Sequence, residues 1–199
     1  MNLEASDLRR AFEGQALASF FPASQEESLA RFTRRMLELN QGLNLTKWTQ
    51  PEEALVHHVL DSAFGIPLAA GFSPAGEWMD LGTGGGFPGA LMVAAFPKVP
   101  FTFVDAVAKK GRAVADCLEA AGWKARVLTE RAEVLGRDPA YRDRFEGVVA
   151  RAVADLPVLL EYALPFLKPQ GHLLSWMTQE QVQKVDKAKK AIDELGARI

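Results

Sequence analysis

The chain has 199 residues, of which 48% are hydrophobic and 24% are charged, the proportions of an ordinary globular domain whose core needs no disulfide or structural metal. Its formal net charge of −2 excludes a strong overall attraction to nucleic acid or to an anionic membrane, so an anionic partner must bind local basic patches. The single cysteine, Cys117, excludes an internal disulfide and a multi-cysteine metal site, and we predict no metal centre.

The amino-terminal sequence "MNLEASDLRRAFEG" lacks the apolar segment of a signal peptide. The sequence also contains no run of roughly 20 apolar residues, the length that a membrane-spanning helix requires. We therefore expect a cytoplasmic protein without a membrane partner, and a monomer.

The first third of the chain has helical patterns. Three segments show the spacing of helices: residues 2–12, residues 24–41 and residues 51–65. In the second segment, Leu29, Phe32 and Met36 recur at the spacing of one helix face. Pro51, followed by two acidic residues, is typical of the first turn of a helix. We predict that residues 1–70 form a helical amino-terminal extension.

Short apolar runs alternate with helical patterns from about residue 74 onward. The apolar runs are "WMDL", "FTFVD", "KARVL", "GVVARAV" and "GHLLSWM", and the last precedes one long helical pattern, "QEQVQKVDKAKKAIDELG". Strands that alternate with helices are typical of βαβ units in a parallel sheet. We predict a single α/β domain, with a Rossmann-like sheet over residues 74–199 behind the helical extension.

The stretch "MDLGTGGGFPG" lies between the first predicted strand and the following helix, where open α/β sheets bind their ligands. It fits two cofactor patterns. Gly84, Gly86 and Gly89 match the G-x-G-x-x-G pattern of dinucleotide-binding proteins. Asp80, Gly82, Gly84 and Gly86 match the looser D-x-G-x-G-x-G pattern of enzymes that use S-adenosylmethionine (SAM).

Charge favours SAM as the ligand. A dinucleotide would place its pyrophosphate over the glycines, close to an Asp80 carboxylate at the mouth of the turn, whereas SAM carries an ammonium, a sulfonium and no phosphate. Asp105, 19 residues after Gly86, ends the second predicted strand and can bind ribose hydroxyls of either cofactor. A nucleotide-dependent oxidoreductase and a purely structural glycine turn remain open alternatives.

Five stretches resemble one known family, in its order and at about its spacing, from roughly residue 25 to residue 175. They are "NLT" at residues 44–46, "HVLDS" at 58–62, "DLGTGGGFPG" at 80–89, "RAE" at 131–133 and "ARAVADL" at 150–156. The sequence resembles the glucose-inhibited division protein B family, the bacterial small-subunit ribosomal RNA guanine-N7 methyltransferases. The resemblance implies a SAM-dependent methyltransferase fold and, as partner, 16S ribosomal RNA or the small ribosomal subunit.

The resemblance also implies where SAM would bind. Gly82 and Phe87 would line the methionine and ribose side, and Asp105 would bind the ribose. Backbone groups of Ala132 and Glu133 would frame the adenine. Arg151 would lie near the cofactor at the end of the fourth strand; a surface salt bridge is the plain alternative for it.

Methylation of guanine N7 requires no general base, because N7 carries a lone pair and no proton. We therefore predict residues that position the base about 3 Å from the methyl group, and no acid–base pair. The positioning candidates are Asn44, His58, Asp61, Ser62 and Arg131. The Asn44 amide could donate to guanine O6, although a turn or capping role fits it too.

Two features of these candidates leave alternatives open. His58, Asp61 and Ser62 share one face of a helix, which the resemblance places at the cofactor cleft, whereas periodicity alone fits a solvated polar stripe. Arg131 could meet RNA or form a surface salt bridge. Among the basic residues, those that flank the predicted cleft are the candidates for phosphate contacts: Lys47, Lys109 and Lys110.

The chain departs from the family pattern at two places. Met177 and Thr178 stand where the family usually has a Lys-Gly pair after the fifth strand, and the chain stops at "LGARI", before a usual final pair of strands. The resemblance thus implies a core that lacks this strand pair. These departures keep a further alternative open, a non-catalytic RNA-binding or assembly protein on a methyltransferase scaffold. A methyltransferase of small molecules or proteins receives no support, because no separate substrate domain is visible.

Overall fold

The structure, a computed structural model, describes residues 3–198, apart from the side chain of Lys187; residues 1, 2 and 199 of the predicted regions lie outside it. Helices form the first 71 residues, as predicted. They are α1 (Ala5–Gly14), α2 (Ala23–Leu43), α3 (Pro51–Ala54), α4 (Asp61–Ala63) and α5 (Ile66–Gly71), with a π-helical segment, Leu55–Leu60, between α3 and α4. The predicted helix over residues 51–65 is therefore helical, but it changes its hydrogen-bonding pattern in the middle.

Five parallel strands form the sheet, in the order β3-β2-β1-β4-β5. The strands are β1 (Trp78–Leu81), β2 (Phe101–Val104), β3 (Arg126–Leu128), β4 (Phe145–Arg151) and β5 (Leu167–Trp176). Each of the five apolar runs found in the sequence contributes one of them. The chain reverses direction across the sheet between β1 and β4, which makes the carboxyl ends of these two strands the expected ligand position.

Helices connect the strands and continue to the carboxyl terminus. They are α6 (Gly89–Ala95), α7 (Ala108–Ala121), α8 (Ala132–Leu135), α9 (Leu156–Ala163), α10 (Gln179–Gln183) and α11 (Lys189–Glu194). The long helix predicted after β5 is wrong as one element, because a 3-10 segment, Val185–Ala188, separates α10 from α11. Thr178 caps α10, since its hydroxyl accepts a hydrogen bond from the Gln181 amide at 3.3 Å.

Apolar residues cover both faces of the sheet. Trp78 and Phe103 face a core shared with α2, α6 and α7, whereas Met79 and Val148 face a second core under α9. The alternation of neighbouring strand residues between the two cores follows from the two-residue repeat of a strand. The helical extension packs on the first core, so the extension and the sheet share one hydrophobic interior.

An ion pair further joins the extension to the sheet domain. The Arg35 guanidinium of α2 lies 2.7 Å from the Asp116 carboxylate of α7. Among the described residues, no helix combines the length and the apolar character needed to cross a membrane.

Candidate functional site

The loop between β1 and α6 requires glycine at several positions. Gly82, Gly84 and Gly86 have φ angles of 70°, 57° and 94°, in the left-handed region that side chains disfavour. A Cβ atom on Gly82 would lie 2.7 Å from a methyl group of Val153, and one on Gly86 would overlap the ring of Phe32. The loop is therefore held close to α2 on one side and to the end of β4 on the other.

Asp80 supports this loop from below. Its Oδ2 accepts hydrogen bonds from the Thr83 hydroxyl at 2.7 Å and from the Gly89 amide at 2.9 Å, while its Oδ1 is buried without a partner among the described residues. Burial raises the pKa of Asp80 to about 6. The carboxylate is fully buried, so the prediction that it stands at the mouth of the turn is wrong.

Asp105 holds the other side of the same loop. It follows β2 directly, and its two carboxylate oxygens accept hydrogen bonds from the backbone amides of Gly84 at 2.9 Å and Val107 at 2.8 Å. The carboxylates that follow or end two neighbouring strands thus fix the glycine loop from opposite sides.

Arg151, the last residue of β4, binds the helical extension through its whole guanidinium group. Its Nη1 donates to the His57 carbonyl at 3.0 Å, the Asp61 carboxylate at 2.8 Å and the Ser62 hydroxyl at 3.3 Å, and its Nη2 donates to His58 Nδ1 at 2.9 Å. Four groups of the π-helical segment and α4 therefore converge on one side chain. π-helical turns are often found at functional sites.

His58 lies between Arg151 and the glycine loop. Its ring stacks on Phe87 with centroids 5.1 Å apart, and its Nε2 lies 2.8 Å from the Thr46 hydroxyl. Burial, followed by the nearby charge of Arg151, lowers the pKa of His58 to about 4, so the ring is neutral at pH 7.

The polar face of the helical segment turns inward. His58 is 8% exposed and Ser62 is fully buried, whereas Val56 and Phe64, on the opposite side, are 51% and 58% exposed. The alternative of a solvated polar stripe is therefore wrong for His58 and Ser62, and the structure brings both together with Asp61 at the end of β4.

The "NLT" stretch forms a tight loop beside the glycines. Asn40 brackets it, because its side chain donates to the Thr46 carbonyl at 3.0 Å and accepts from the Thr46 amide at 2.9 Å. Leu45 lies against the glycine loop, with its Cβ 3.8 Å from the position of a Cβ on Gly85. Asn44 ends α2 in a left-handed conformation and is exposed.

Arg131 does not join the Arg151 cluster through any hydrogen bond between described residues. It precedes α8, is exposed, and pairs with Glu133 at 2.9 Å. This hydrogen bond raises the pKa of Arg131 and lowers that of Glu133. The salt bridge that the sequence left open for Arg131 is present, and Ala132 follows it at the start of α8.

The three candidate lysines lie beside the loop segments of the site. Lys47 is exposed, with its Nζ 4.6 Å from the ring centroid of Trp48, which itself stacks on His57 at 3.7 Å. Lys109 and Lys110 lie in the first turn of α7, shortly after Asp105.

Sequence reasoning missed three residues that hold the site together. Thr83 and Asn40 bind Asp80 and the Thr46 backbone, respectively, and the Trp176 indole donates to the Asp61 carbonyl at 2.9 Å. A threonine three residues after Asp80 was a readable signal of a local hydrogen bond. The partners of Asn40 and Trp176 become visible only in three dimensions.

Comparison with known proteins identifies the family. The sequence profile described as rRNA small subunit methyltransferase G, GidB, matches residues 25–198. The chain belongs to this family. Its members include proteins named ribosomal RNA small subunit methyltransferase G from Desulfitobacterium hafniense, 37% identical over 98% of this chain and 81% of the relative, and from Chloroflexus aggregans, 38% identical over 87% and 74%. The family membership predicted from the five motifs is confirmed.

Solved structures confirm the predicted fold class. A proposed SAM-dependent methyltransferase from Methanococcus maripaludis superposes with a TM-score of 0.54, at 13% identity over 82% of this chain and 83% of its own. The ribosomal protein L11 methylase of Lactobacillus delbrueckii superposes with a TM-score of 0.52, at 20% identity over 70% of this chain and 68% of its own. At these identities the likeness concerns the fold alone.

Proposed function

We propose that this protein is a SAM-dependent methyltransferase that modifies N7 of a guanine in small-subunit ribosomal RNA. The observation that carries the proposal is the glycine loop, held by Asp80 and Asp105 at the carboxyl ends of β1 and β2, in a chain of the rRNA small subunit methyltransferase G family. Several relatives in this family carry a name that specifies small-subunit ribosomal RNA.

The loop fits a positively charged cofactor that approaches the backbone closely. Gly82, Gly84 and Gly86 leave no side chain between the loop and a ligand, and the buried Asp80 Oδ1 has no partner among the described residues. A buried carboxylate favours a cationic ligand over a pyrophosphate. Asp80 acts through the loop rather than by direct contact, because its side chain lies beneath it.

Further residues complete the cofactor site in this proposal. Phe87 lines the methionine and ribose side, and Asp105 binds the ribose. Ala132 and Glu133 frame the adenine through their backbone, and Arg151 orders the pocket from the end of β4. When bound, the cofactor supplies an electrophilic methyl group; the protein residues orient the base and exclude water.

Guanine N7 needs positioning and no proton acceptor. His58, Asp61 and Ser62 are held rigidly by Arg151, so they form a fixed wall beside the glycine loop. The neutral His58 ring and Phe87 present apolar surface there, which keeps the site free of an additional positive charge. Such preorganisation supplies several kcal/mol by holding the reactants in line.

The RNA contacts in this proposal come from Lys47, Lys109 and Lys110, with Arg131 and Asn44 as further candidates for contact with the base or its phosphates. The exposed positions of Lys47 and Lys109 suit phosphate binding, which positions an RNA without reading its sequence. The partner is 16S ribosomal RNA, free or in the small subunit, and the protein acts as a cytoplasmic monomer.

Methyl transfer from labelled SAM tests the proposal. The protein is incubated with unmodified 16S RNA transcript and with small subunits reconstituted from it. Label in RNA, with borohydride–aniline cleavage at one guanine, is the expected result, and the cleavage maps the target. RNA retention on filters without transfer would instead indicate a non-catalytic RNA-binding protein. Label in neither substrate, with no RNA bound, would contradict the proposal.

A further inference from the structure

The hydrogen bonds around His58 define its tautomer. Arg151 Nη2 lies 2.9 Å from His58 Nδ1, and an arginine side chain only donates hydrogen bonds. Nδ1 must therefore accept, which leaves the ring proton on Nε2. Protonation of both nitrogens would place an N–H group against the guanidinium, in agreement with the lowered pKa of His58.

The tautomer in turn defines the role of the Thr46 hydroxyl. His58 Nε2 donates to Thr46 Oγ1 at 2.8 Å, and the Trp48 amide donates to the same oxygen at 3.1 Å. A hydroxyl has two acceptor lone pairs and one proton. Both lone pairs are used, and among residues 3–198 no group accepts the proton, so this hydroxyl can only donate to a ligand.

Thr46 is held rigidly at the edge of the cleft. Asn40 makes two hydrogen bonds to its backbone, and the neighbouring Leu45 lies against the glycine loop. His58, which donates to Thr46, stacks on Phe87 in that loop. Thr46 is half-buried and stands near the carboxyl ends of β1 and β4, where an open α/β sheet binds its ligands.

We propose that Thr46 determines base specificity by donating its hydroxyl proton to O6 of the target guanine. This inference rests on the proposed function. Guanine presents O6 beside N7, both acceptors, whereas adenine presents an amino donor in place of O6. A free threonine hydroxyl can serve either base, but one that can only donate accepts guanine and rejects adenine. The exposed Asn44 amide, which both donates and accepts, has no such restriction.

An enzyme-by-substrate cycle tests the assignment. The substrates are small-subunit RNAs with guanosine or 2-aminopurine riboside at the mapped target; 2-aminopurine keeps N7 and the 2-amino group but lacks O6. The enzymes are the parent, Thr46→Val and Thr46→Ser. Thr49→Val, the same exchange at an exposed threonine of the same loop, is the matched control.

The parent should use guanosine about 10- to 100-fold better than 2-aminopurine in kcat/KM, the effect of one good base contact. Thr46→Val should use both substrates equally, at the rate at which the parent uses 2-aminopurine. Thr46→Ser and Thr49→Val should keep the parent's preference. S-adenosylhomocysteine should bind Thr46→Val with the parent's affinity, which shows that the site is folded.

Three results would overturn the assignment. A parent that methylates both RNAs equally would show that O6 is not read. A Thr46→Val variant that keeps the preference for guanosine would show that another residue reads O6. No transfer by the parent to any guanine would refute the proposed function itself, and the assignment with it, so the two failures are distinguishable.

Discussion

Replacement of Asp80 by asparagine should change how stability depends on pH. Burial raises the pKa of Asp80 from 3.8 to about 6, and a shift of about 2 units corresponds to about 3 kcal/mol. Because the native pKa is the higher one, the stabilising effect of the proton is complete below pH 3.8 and is lost as the pH rises through 6. Asparagine keeps an oxygen for Thr83 and Gly89 but does not titrate. The free energy of unfolding of Asp80→Asn should therefore rise relative to the parent, by about 3 kcal/mol between pH 3.5 and 7.

His58→Gln provides a control of opposite sign. Burial lowers the pKa of His58 from 6.5 to about 4, so its contribution to stability is complete above pH 6.5 and is lost as the pH falls through 4. Relative to the parent, His58→Gln should gain about 3 kcal/mol as the pH falls across this range. The two difference curves should slope in opposite directions.

Urea unfolding at a series of pH values, followed by circular dichroism, measures both curves. Subtracting the parent cancels the contributions of distant carboxylates, because well-separated groups act additively. A difference between Asp80→Asn and the parent that does not change with pH would refute the reasoning. The same refutation would follow if both variants sloped in the same direction.

Three further predictions concern the loop, the arginine and the lysines. Gly86→Ala should lose about 2–4 kcal/mol of stability in urea unfolding, because its Cβ overlaps a buried ring at a positive φ, whereas Gly42→Ala, with open space around it in α2, should not be destabilised; equal stabilities would contradict this. Arg151→Lys keeps the charge but not the fork, so kcat/KM for methyl transfer should fall at least about tenfold, and full activity would contradict the positioning role. Joint replacement of Lys109 and Lys110 by alanine should reduce the salt dependence of RNA binding by about 0.7 in slope per phosphate contact, without weakening S-adenosylhomocysteine binding; an unchanged slope would remove both lysines from the interface.

The sheet was predictable because its strands are short apolar runs between helical patterns. β1 and β2 follow the predicted "WMDL" and "FTFVD" runs closely, and the glycine loop lies where the motif predicts it. Burial on both faces makes such strands recognisable in a single sequence. The same local information predicted the polar side of the segment that contains His58 and Ser62.

The π-helical segment was not predictable in the same way. Its turn depends on the Arg151 guanidinium, which lies 93 residues from His58 and binds the carbonyl of His57. The buried position of Asp80 likewise depends on Thr83 and on the start of α6 at Gly89, which close over it. A linear motif shows that an acid precedes the glycines, but it does not show on which side of the loop the acid lies.

The break between α10 and α11 has a different cause. The sequence after β5 has a helical pattern throughout, yet Lys184 leaves the helical conformation and a 3-10 segment follows. Ala188 and Ile192 are buried there against Leu160 of α9. Packing of this short apolar face on α9 overrides the local preference for a continuous helix.

Calorimetric titration of the protein with S-adenosylhomocysteine, and separately with NAD, tests the central claim most directly. The account predicts that S-adenosylhomocysteine binds one site, that Gly86→Ala weakens this binding, and that NAD does not bind. Binding of NAD to the folded protein, with no heat from S-adenosylhomocysteine, would contradict the assignment of the glycine loop to SAM and would favour a nucleotide-dependent oxidoreductase.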